Sequence, residues 1–328
     1  SFNAEGLSPA RVAWEARKTG LDVVGVVDFD VLDAMDEILL AGDVLGLRTV
    51  AALETRVFMD AYANREINSP GEPGVSYFMG TGFFRLPETG SPAAEQLAAL
   101  RKTADERNRA LLDRLRAHIA PVEIDYEQDV RARTPAGNAT ERHMLEALDD
   151  KARARFGEGA ELAAYWADTL DLDGDEVANL LTDRVALRNT IRKKLMKRGG
   201  KGYVQPGRET FPPVGDVAAM VRACGAIPCA TWLDGTSDGE ADPDQLLDDY
   251  VRLGCLAINI IPDRNWNIAD AAVKEAKLAH LAAVVKAAKE RCLVFSVGTE
   301  MNSYGQKAVD TFDAPEMQPF AADFRDGA

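Results

Sequence analysis

The most restrictive feature of this chain is a series of short apolar segments that alternate with amphipathic helical segments. Three of the apolar segments, far apart in the sequence, end at or just before carboxylates, namely Asp28 with Asp30, Glu54, and Glu300. When buried parallel strands alternate with helices, the carboxyl ends of the strands meet on one face. The pattern therefore predicts an α/β fold in which these carboxylates share one site.

The order of strands and helices predicts a barrel that is interrupted once. Strand and helix patterns alternate over residues 1–137 and again over residues 208–328, whereas residues 138–207 are helical in pattern and strongly charged. Because the alternation resumes, we interpret the charged stretch as a small all-helical insertion into one barrel. The loop at 64–74 is longer than packing requires, which is typical of functional loops.

Several element boundaries can be predicted from local signals. Ser8 as N-cap, Pro9 at the first helical position and Gly20 after the last turn predict the first helix. A strand at 22–28, a helix at 31–45 and a second strand then predict a parallel pair with a right-handed crossover. Further strands are predicted at 76–84, 226–232, 255–261 and 292–297.

The composition argues against several classes of protein. A net charge of −15 is unsuited to binding a nucleic acid duplex, although a local cluster of Arg and Lys can still bind a small phosphorylated molecule. No apolar run approaches the roughly 20 residues that span a bilayer, so membrane insertion is not expected. The four cysteines lack metal-type spacing, and we predict buried, reduced thiols in a cytoplasmic protein of unspecified oligomeric state.

Three other features have a structural and a functional interpretation. The acidic segment 234–242 lacks the spacing of a calcium-binding loop and is predicted to be an exposed loop. Trp232 and Trp266 flank two strand ends, where they could wall a ligand pocket or only close the barrel. His118 and His280 lie on predicted helices and are interpreted as structural.

Four motifs occur in a fixed order in or beside the predicted strands. They are Asp28-Phe-Asp30-Val-Leu-Asp33, Val50-Ala-Ala-Leu-Glu54, Ser76-Tyr-Phe-Met-Gly80 and Val297-Gly-Thr-Glu-Met-Asn-Ser-Tyr-Gly305. In order and spacing they resemble the motifs of the polymerase-and-histidinol-phosphatase (PHP) family of metal-dependent phosphoesterases. The resemblance implies a PHP-type (β/α)7-like barrel that hydrolyses phosphoric esters with a divalent metal such as Mn, Mg or Zn.

The middle of the chain resembles one subgroup of this family, in which a helical insertion interrupts the barrel. The similar segments are 139–148, 202–206 and 224–231. This subgroup includes phosphatases that act on nucleotides and nucleoside bisphosphates. The resemblance implies a small phosphorylated molecule, such as a nucleotide, bound by Arg142 and His143. The alternative is that these two residues form a solvent-facing pair on a helix surface.

The chain departs from the family at most of the metal-binding positions. The family's histidines correspond here to Phe29, Tyr77 and Thr231, and its closing Asp-x-His pair corresponds to Glu300 and Asn302. An aromatic ring cannot bind a metal, and the imidazole ligands that suit Zn, Fe and Mn are replaced.

The resemblance nevertheless implies a reduced set of site residues. Glu54 matches a metal ligand of the family, and Glu300 and Asn302 are implied as its companions. Asp28 and Asp30 are implied as catalytic residues. Oxygen ligands of this kind suit hard cations such as Mg, Mn or Ca. The same carboxylates could instead close the barrel mouth through salt bridges and hydrogen bonds, with no metal present.

Two hypotheses from different classes therefore remain open. The first is a metal-dependent phosphoesterase that acts on a small phosphorylated molecule. The second is a catalytically degenerate PHP barrel that serves as a ligand-binding or assembly subunit. A hydrolase that uses the altered site on a substrate other than a phosphoester is a third option.

Overall fold

The computed structural model describes residues 6–302, 305–307 and 309–327. The chain divides into two compact units. The sheet unit comprises Leu7–Leu100, Pro206–Met301 and the residues from Gly305 onward, and the helical unit comprises Arg101–Gln205 with Gly6 and Asn302.

The strands of the sheet unit are β1 (Val23–Phe29), β2 (Arg48–Phe58), β3 (Val75–Phe83), β4 (Ile227–Thr231), β5 (Ala257–Ile260) and β6 (Val294–Val297). The α-helices of the chain are α1 (Pro9–Thr19), α2 (Met35–Leu45), α3 (Pro92–Ile119), α4 (Glu141–Phe156), α5 (Ala160–Leu170), α6 (Gly174–Leu181), α7 (Arg184–Ile191), α8 (Val214–Ala223), α9 (Pro243–Arg252), α10 (Pro262–Trp266), α11 (Ala271–Glu290) and α12 (Ala321–Gly327). Within the described ranges, no helix is both long enough and apolar enough to cross a membrane.

The six strands form one sheet in the order β1 to β6. β1 and β2 are parallel, as are β4, β5 and β6, but β3 is antiparallel to both of its neighbours. The described residues therefore form a barrel-like α/β sheet of six strands, and the (β/α)7-like barrel that the resemblance implies stays a prediction. β3 returns beside β2 because residues 59–74 form a loop without an α-helix, and parallel neighbours normally require a helical crossover.

The observed ends of α1 agree with the boundaries predicted from the sequence, whereas the start of α2 differs. Ser8 accepts a hydrogen bond from the Arg11 backbone N–H, and Gly20 ends α1 in the left-handed region with a φ of 83°, as predicted. α2 begins at Met35 rather than at residue 31. The preceding residues form a turn in which the Ala34 N–H donates to the Asp28 carboxylate at 2.8 Å, so the start of the helix is delayed.

The two faces of the sheet have different roles. One face contributes apolar residues to the main core of the unit, including Leu53, Phe78, Ala230, Ile258 and Phe295. The opposite face, here called the site face, carries a small apolar cluster formed by Ala52, Met79, Cys229 and Ala257. Side chains alternate across a strand, so the faces follow directly from the register.

The helical unit has its own apolar core, which is the reason it begins inside α3. Leu111, Leu112, Leu115 and Ile119 of α3 pack with residues of α4, α5 and α7 in this core. The insertion was predicted at residues 138–207, whereas the compact unit starts at Arg101. The boundary lies within α3, and the sequence pattern of one continuous amphipathic helix does not indicate where it passes from one unit to the other.

A buried carboxylate joins α4 to α7 in the helical unit. Asp149 is fully buried and accepts hydrogen bonds from Arg153 at 2.8 Å, from Arg184 at 2.7 and 2.8 Å, and from Arg188 at 3.1 Å. Its neighbour Asp150 is 40% exposed and also pairs with Arg184. The same helix therefore offers a buried and an exposed carboxylate for comparison.

We expect Asp149→Asn to lower the free energy of unfolding by about 3–5 kcal/mol, because it removes a fully buried negative charge that accepts hydrogen bonds from three arginines. Asp150→Asn should cost less than about 1 kcal/mol, since exposed ion pairs contribute little. Urea unfolding followed by helical circular dichroism at pH 7 measures both values. Equal losses in the two variants would show that burial does not strengthen the Asp149 contacts.

Candidate functional site

Two rows of side chains lie across the site face near the carboxyl ends of the parallel strands. In the first row, Glu54 pairs with Phe29 and Met79, and the row continues through Cys229 and Ala257. The second row lies one step nearer the strand ends and is polar. It consists of Arg56, Tyr77, Thr231, Asn259 and Ser296.

Glu54 is the ionisable group of the first row. The pKa of its carboxyl is raised to about 7, chiefly by burial and in addition by the negative charges of Glu300 and Asp30. Among the described residues, no donor forms a hydrogen bond with this carboxyl group. The structure thus brings three of the predicted strand-end carboxylates within electrostatic range of one another, and both protonation states of Glu54 are populated near neutral pH.

Asp28 and Asp30 have local bonding partners. Asp28 is on the same side of β1 as Val24 and Val26, which pack against the main core, and its carboxylate accepts the Ala34 N–H. Asp30 is 1% exposed, adopts a left-handed φ of 65°, and accepts a hydrogen bond from the Thr55 hydroxyl at 2.5 Å. Both carboxylates therefore support the backbone at the end of β1, and a catalytic role for them stays a prediction.

The positions that correspond to the family's histidines do converge on the site face. The rings of Phe29 and Tyr77 lie 6.4 Å apart between centroids. The Thr231 hydroxyl donates to the Tyr77 carbonyl oxygen at 2.5 Å. These positions are thus neighbours in space, but a phenyl ring, a phenol and an aliphatic hydroxyl occupy them in place of imidazole.

A buried asparagine, which the sequence did not identify, holds these positions together. Asn68 donates from Nδ2 to the Thr231 hydroxyl at 2.9 Å and to the Thr231 carbonyl at 3.0 Å. Its Oδ1 accepts from the Tyr77 N–H at 2.7 Å and from the Ser76 hydroxyl at 3.1 Å. Asn68 lies in the long loop before β3, where an asparagine looks like a turn former. In the sequence, only the unusual length of this loop indicated that its residues have a role beyond connecting two strands.

The described residues do not show the cluster of ligands that the divalent-metal site implied by the family resemblance would need. No group of three or more His, Cys, Asp or Glu side chains is arranged to hold a metal in the described ranges. Of the predicted ligands, Glu54 and Glu300 belong to the sheet unit, whereas Asn302 belongs to the helical unit. The ligand role of all three stays a prediction.

A second group of charged residues lies where β4, β5 and β6 end. Arg264 of α10 has its Nε 3.8 Å from Asp234 and its Nη1 4.0 Å from Glu300. Lys277 donates to Asp234 at 2.7 Å and Thr236 donates to it at 2.5 Å. Burial tends to raise the pKa of Asp234, but these two donors hold it below its usual value.

The acidic segment that contains Asp234 is not the exposed loop that was predicted. Asp234 and Glu240 are 5% and 2% exposed. The Glu240 carboxylate accepts three backbone N–H groups, from Leu233, Asp234 and Gly235, at 2.7–3.0 Å. The segment is therefore folded around the Glu240 carboxylate. Composition alone cannot distinguish such a buried structural carboxylate from one that is exposed to solvent.

Arg142 and His143 lie at the start of α4 in the helical unit. Arg142 donates to Asn189 at 2.7 Å and to Asn302 at 3.4 Å. His143 is 3% exposed, so it is not the solvent-facing residue of the alternative interpretation. Its Nδ1 accepts the Thr140 backbone N–H at 3.1 Å and completes a capping box. A phosphate-binding role for the pair stays a prediction.

The raised pKa of Glu54 gives a test of its protonation state. The folded-state pKa of about 7 lies above the ordinary value of 4.5, so the folded protein holds this proton more tightly. The resulting stability is present below pH 4.5 and is lost as the pH rises through 7. As the pH rises from 5 to 8, the free energy of unfolding should therefore fall by about 1–3 kcal/mol less in Glu54→Gln than in wild type. Urea titrations at several pH values measure this change in the free energy of unfolding, and Glu88→Gln, at an exposed site, is the control. A Glu54→Gln variant whose unfolding free energy depends on pH as strongly as that of wild type would contradict the prediction.

His143 should show the opposite dependence on pH. Burial lowers its pKa from 6.5 to about 4, so the folded state favours the neutral ring, and stability is lost as the pH falls below 6.5. His143→Gln keeps an acceptor at this position of the capping box. We expect a change within about 1 kcal/mol at pH 7.5. At pH 5 the variant should gain about 1–2 kcal/mol relative to wild type, measured by urea unfolding. A variant that loses stability in parallel with wild type would refute this.

Comparisons with known proteins support the fold. No family model and no curated protein sequence matches the chain. A protein from Bifidobacterium adolescentis with a proposed metal-dependent phosphoesterase activity has a similar structure, with a TM-score of 0.57 and 15% identity over 96% of this chain and 91% of its own. An amidohydrolase from Chromobacterium violaceum, solved with bound sulfate and no metal, gives a TM-score of 0.59 and 16% identity over 100% and 93%. The chain thus shares a barrel-like α/β fold with these proteins.

Proposed function

We propose that this protein is a catalytically degenerate barrel that binds a small polar molecule on the site face. One observation carries the proposal. The positions that correspond to the family's metal ligands lie together on that face, but Phe29, Tyr77 and Thr231 occupy them. A binding site that keeps its location after losing its metal ligands is suited to recognition rather than to metal-assisted hydrolysis.

The groups on the site face support binding of a polar ligand. The second row carries hydroxyl, amide and guanidinium groups, and the Glu54 carboxyl makes no hydrogen bond with the described residues. A protonated carboxyl can donate one hydrogen bond and accept others, so it can recognise a polar group without requiring a positive charge on the ligand. The ligand would therefore be held by directional hydrogen bonds and by contact with the first-row side chains.

A metal-dependent phosphoesterase acting on a small phosphorylated molecule, such as a nucleotide, is the second candidate. It is favoured by the fold shared with the Bifidobacterium protein and by the grouping of Glu54, Asp30 and Glu300. It needs metal ligands in addition to those that the described residues offer. A hydrolase for another class of ester or amide is the third candidate, and the fold shared with the amidohydrolase is compatible with it.

The remaining expectations about partners and location are part of the same proposal. We propose a cytoplasmic protein that binds a small molecule and does not bind a nucleic acid duplex, in keeping with its net charge of −15. An assembly role would use the same barrel as a subunit of a larger complex.

The two leading candidates differ in metal content and turnover. We expect the full-length protein to carry no stoichiometric Mn, Mg or Zn by elemental analysis after equilibration with each metal. We also expect no hydrolysis of p-nitrophenyl phosphate, a nucleoside monophosphate or a nucleoside bisphosphate. Metal-dependent turnover that is lost in Glu54→Ala would overturn the proposal in favour of the phosphoesterase. Glu88→Ala, at an exposed site, is the matched control.

A further inference from the structure

Two aromatic side chains flank the Glu54 carboxyl group on the site face. Phe29 on β1 is the register partner of Glu54, and Tyr77 on β3 is the partner of Arg56, two residues further along β2 on the same face. The rings of Phe29 and Tyr77 have centroids 6.4 Å apart and are inclined at 57°. Paired residues on neighbouring strands lie about 5 Å apart and diagonal ones about 7–8 Å. A group that contacts the Glu54 carboxyl is therefore within reach of both rings.

These three residues, here called the Glu54 site, are accessible to solvent. Phe29, Glu54 and Tyr77 are each half-buried, whereas Leu53 and Phe78, which point to the core face from the same two strands as Glu54 and Tyr77, are 0% exposed. The Glu54 carboxyl accepts no hydrogen bond from the described residues. A half-buried carboxyl group has lost part of its hydration without gaining a donor from the protein. A ligand that donates a hydrogen bond to Glu54 therefore replaces what burial removes.

The charges around Glu54 favour a ligand that is positively charged. Besides burial, the negative charges of Glu300 and Asp30 raise the pKa of Glu54. Each of these two effects is larger than the opposite effect of Arg56, which also pairs with Glu72 at 3.1 Å. A cation beside Glu54 is attracted by carboxylates that otherwise repel one another, whereas an anion is repelled by them.

The aromatic rings distinguish an organic cation from a metal ion. Hard metal cations take roughly six or more oxygen ligands, and an aromatic ring cannot supply them. An ammonium group needs only hydrogen-bond acceptors, and its charge is attracted to the face of an aromatic ring within about 6 Å. The rings at positions 29 and 77 therefore disfavour a metal ion and add contact surface for an organic ammonium ion.

We propose that the Glu54 site binds a small organic ammonium ion, such as an alkylamine or the amine end of a larger molecule. The N–H groups of the ligand donate to the Glu54 carboxylate, and its nitrogen and adjoining carbon atoms contact the rings of Phe29 and Tyr77. Glu300, whose side chain is 41% exposed, adds a negative charge near the site. This inference rests on the proposed ligand-binding function, and it names the chemical class of the ligand.

Three probes of equal length and different charge test the inference on the full-length protein: n-butylammonium, 1-butanol and butyrate. Ligand-observed NMR and calorimetry measure the dissociation constants at about 0.15 M salt, which screens attraction to the acidic surface as a whole. We expect n-butylammonium to bind at least about tenfold more tightly than 1-butanol, the effect of a charge-assisted hydrogen bond together with a cation–π contact. Butyrate should bind more weakly than both.

Two variants on neighbouring strands distinguish the Glu54 site from the rest of the acidic surface. Phe29→Leu keeps an apolar side chain and removes the ring, so it should weaken n-butylammonium binding several-fold and leave 1-butanol binding unchanged. Glu54→Gln keeps the shape of the side chain and removes its charge, and it should weaken n-butylammonium binding roughly tenfold. Phe84→Leu, at a residue that is 61% exposed, and Glu88→Gln, at an exposed site, are the matched controls. Urea midpoints identify any variant that fails to fold, and the other variant then carries the test.

Each remaining outcome decides the matter. Equal affinity for n-butylammonium and 1-butanol overturns the inference, as does n-butylammonium binding that both Phe29→Leu and Glu54→Gln leave unchanged. Tighter binding of 1-butanol or butyrate than of n-butylammonium overturns the ligand class but leaves a ligand-binding function standing. Metal-dependent turnover of a phosphoester overturns the proposed function, whereas n-butylammonium binding that depends on Phe29 would survive that result. The two proposals therefore fail separately.

Discussion

The hydrogen bonds of Asn68 are the constraint on which the site face depends. This one side chain bonds to the start of β3 and to the end of β4, so it fixes the place where the sheet reverses direction. Four hydrogen bonds inside a region that water does not reach make a rigid connection, because a partner lost there cannot be replaced. The rigid connection in turn sets the positions of Tyr77 and Thr231, which are the middle of the polar second row.

The site face gathers the positions that the resemblance to the PHP family aligns with metal ligands. At one of them the side chain bonds to the protein itself, since the Thr231 hydroxyl donates to the Tyr77 carbonyl oxygen. Glu54 keeps its place, but it lies in a largely apolar row near two other acidic groups. Under those conditions the pKa of the Glu54 carboxyl is raised to about 7, so its neutral form, which can donate a hydrogen bond, is more populated than in an exposed glutamate.

Much of the fold could be predicted from sequence, but the bonding of single polar residues could not. The parallel β1–β2 pair and the caps of α1 follow from local periodicity and capping residues, which act within a few residues of one another. The reversal of β3 depends on the absence of a helix in a long loop and on Asn68, whose partners are far apart in sequence. Asp234, Glu240 and His143 resemble surface residues by type, yet each is buried and accepts a hydrogen bond from a backbone N–H group. Hydrophobic patterning carries no information about such pairing.

The two units respond to protons in opposite directions. His143, in the helical unit, favours the folded state when it has no proton, whereas Glu54, in the sheet unit, favours the folded state when it keeps one. Acid therefore weakens the contribution of the first group, and alkali weakens that of the second. The stability of each unit therefore contains a pH-dependent contribution of its own, and these two contributions have opposite signs.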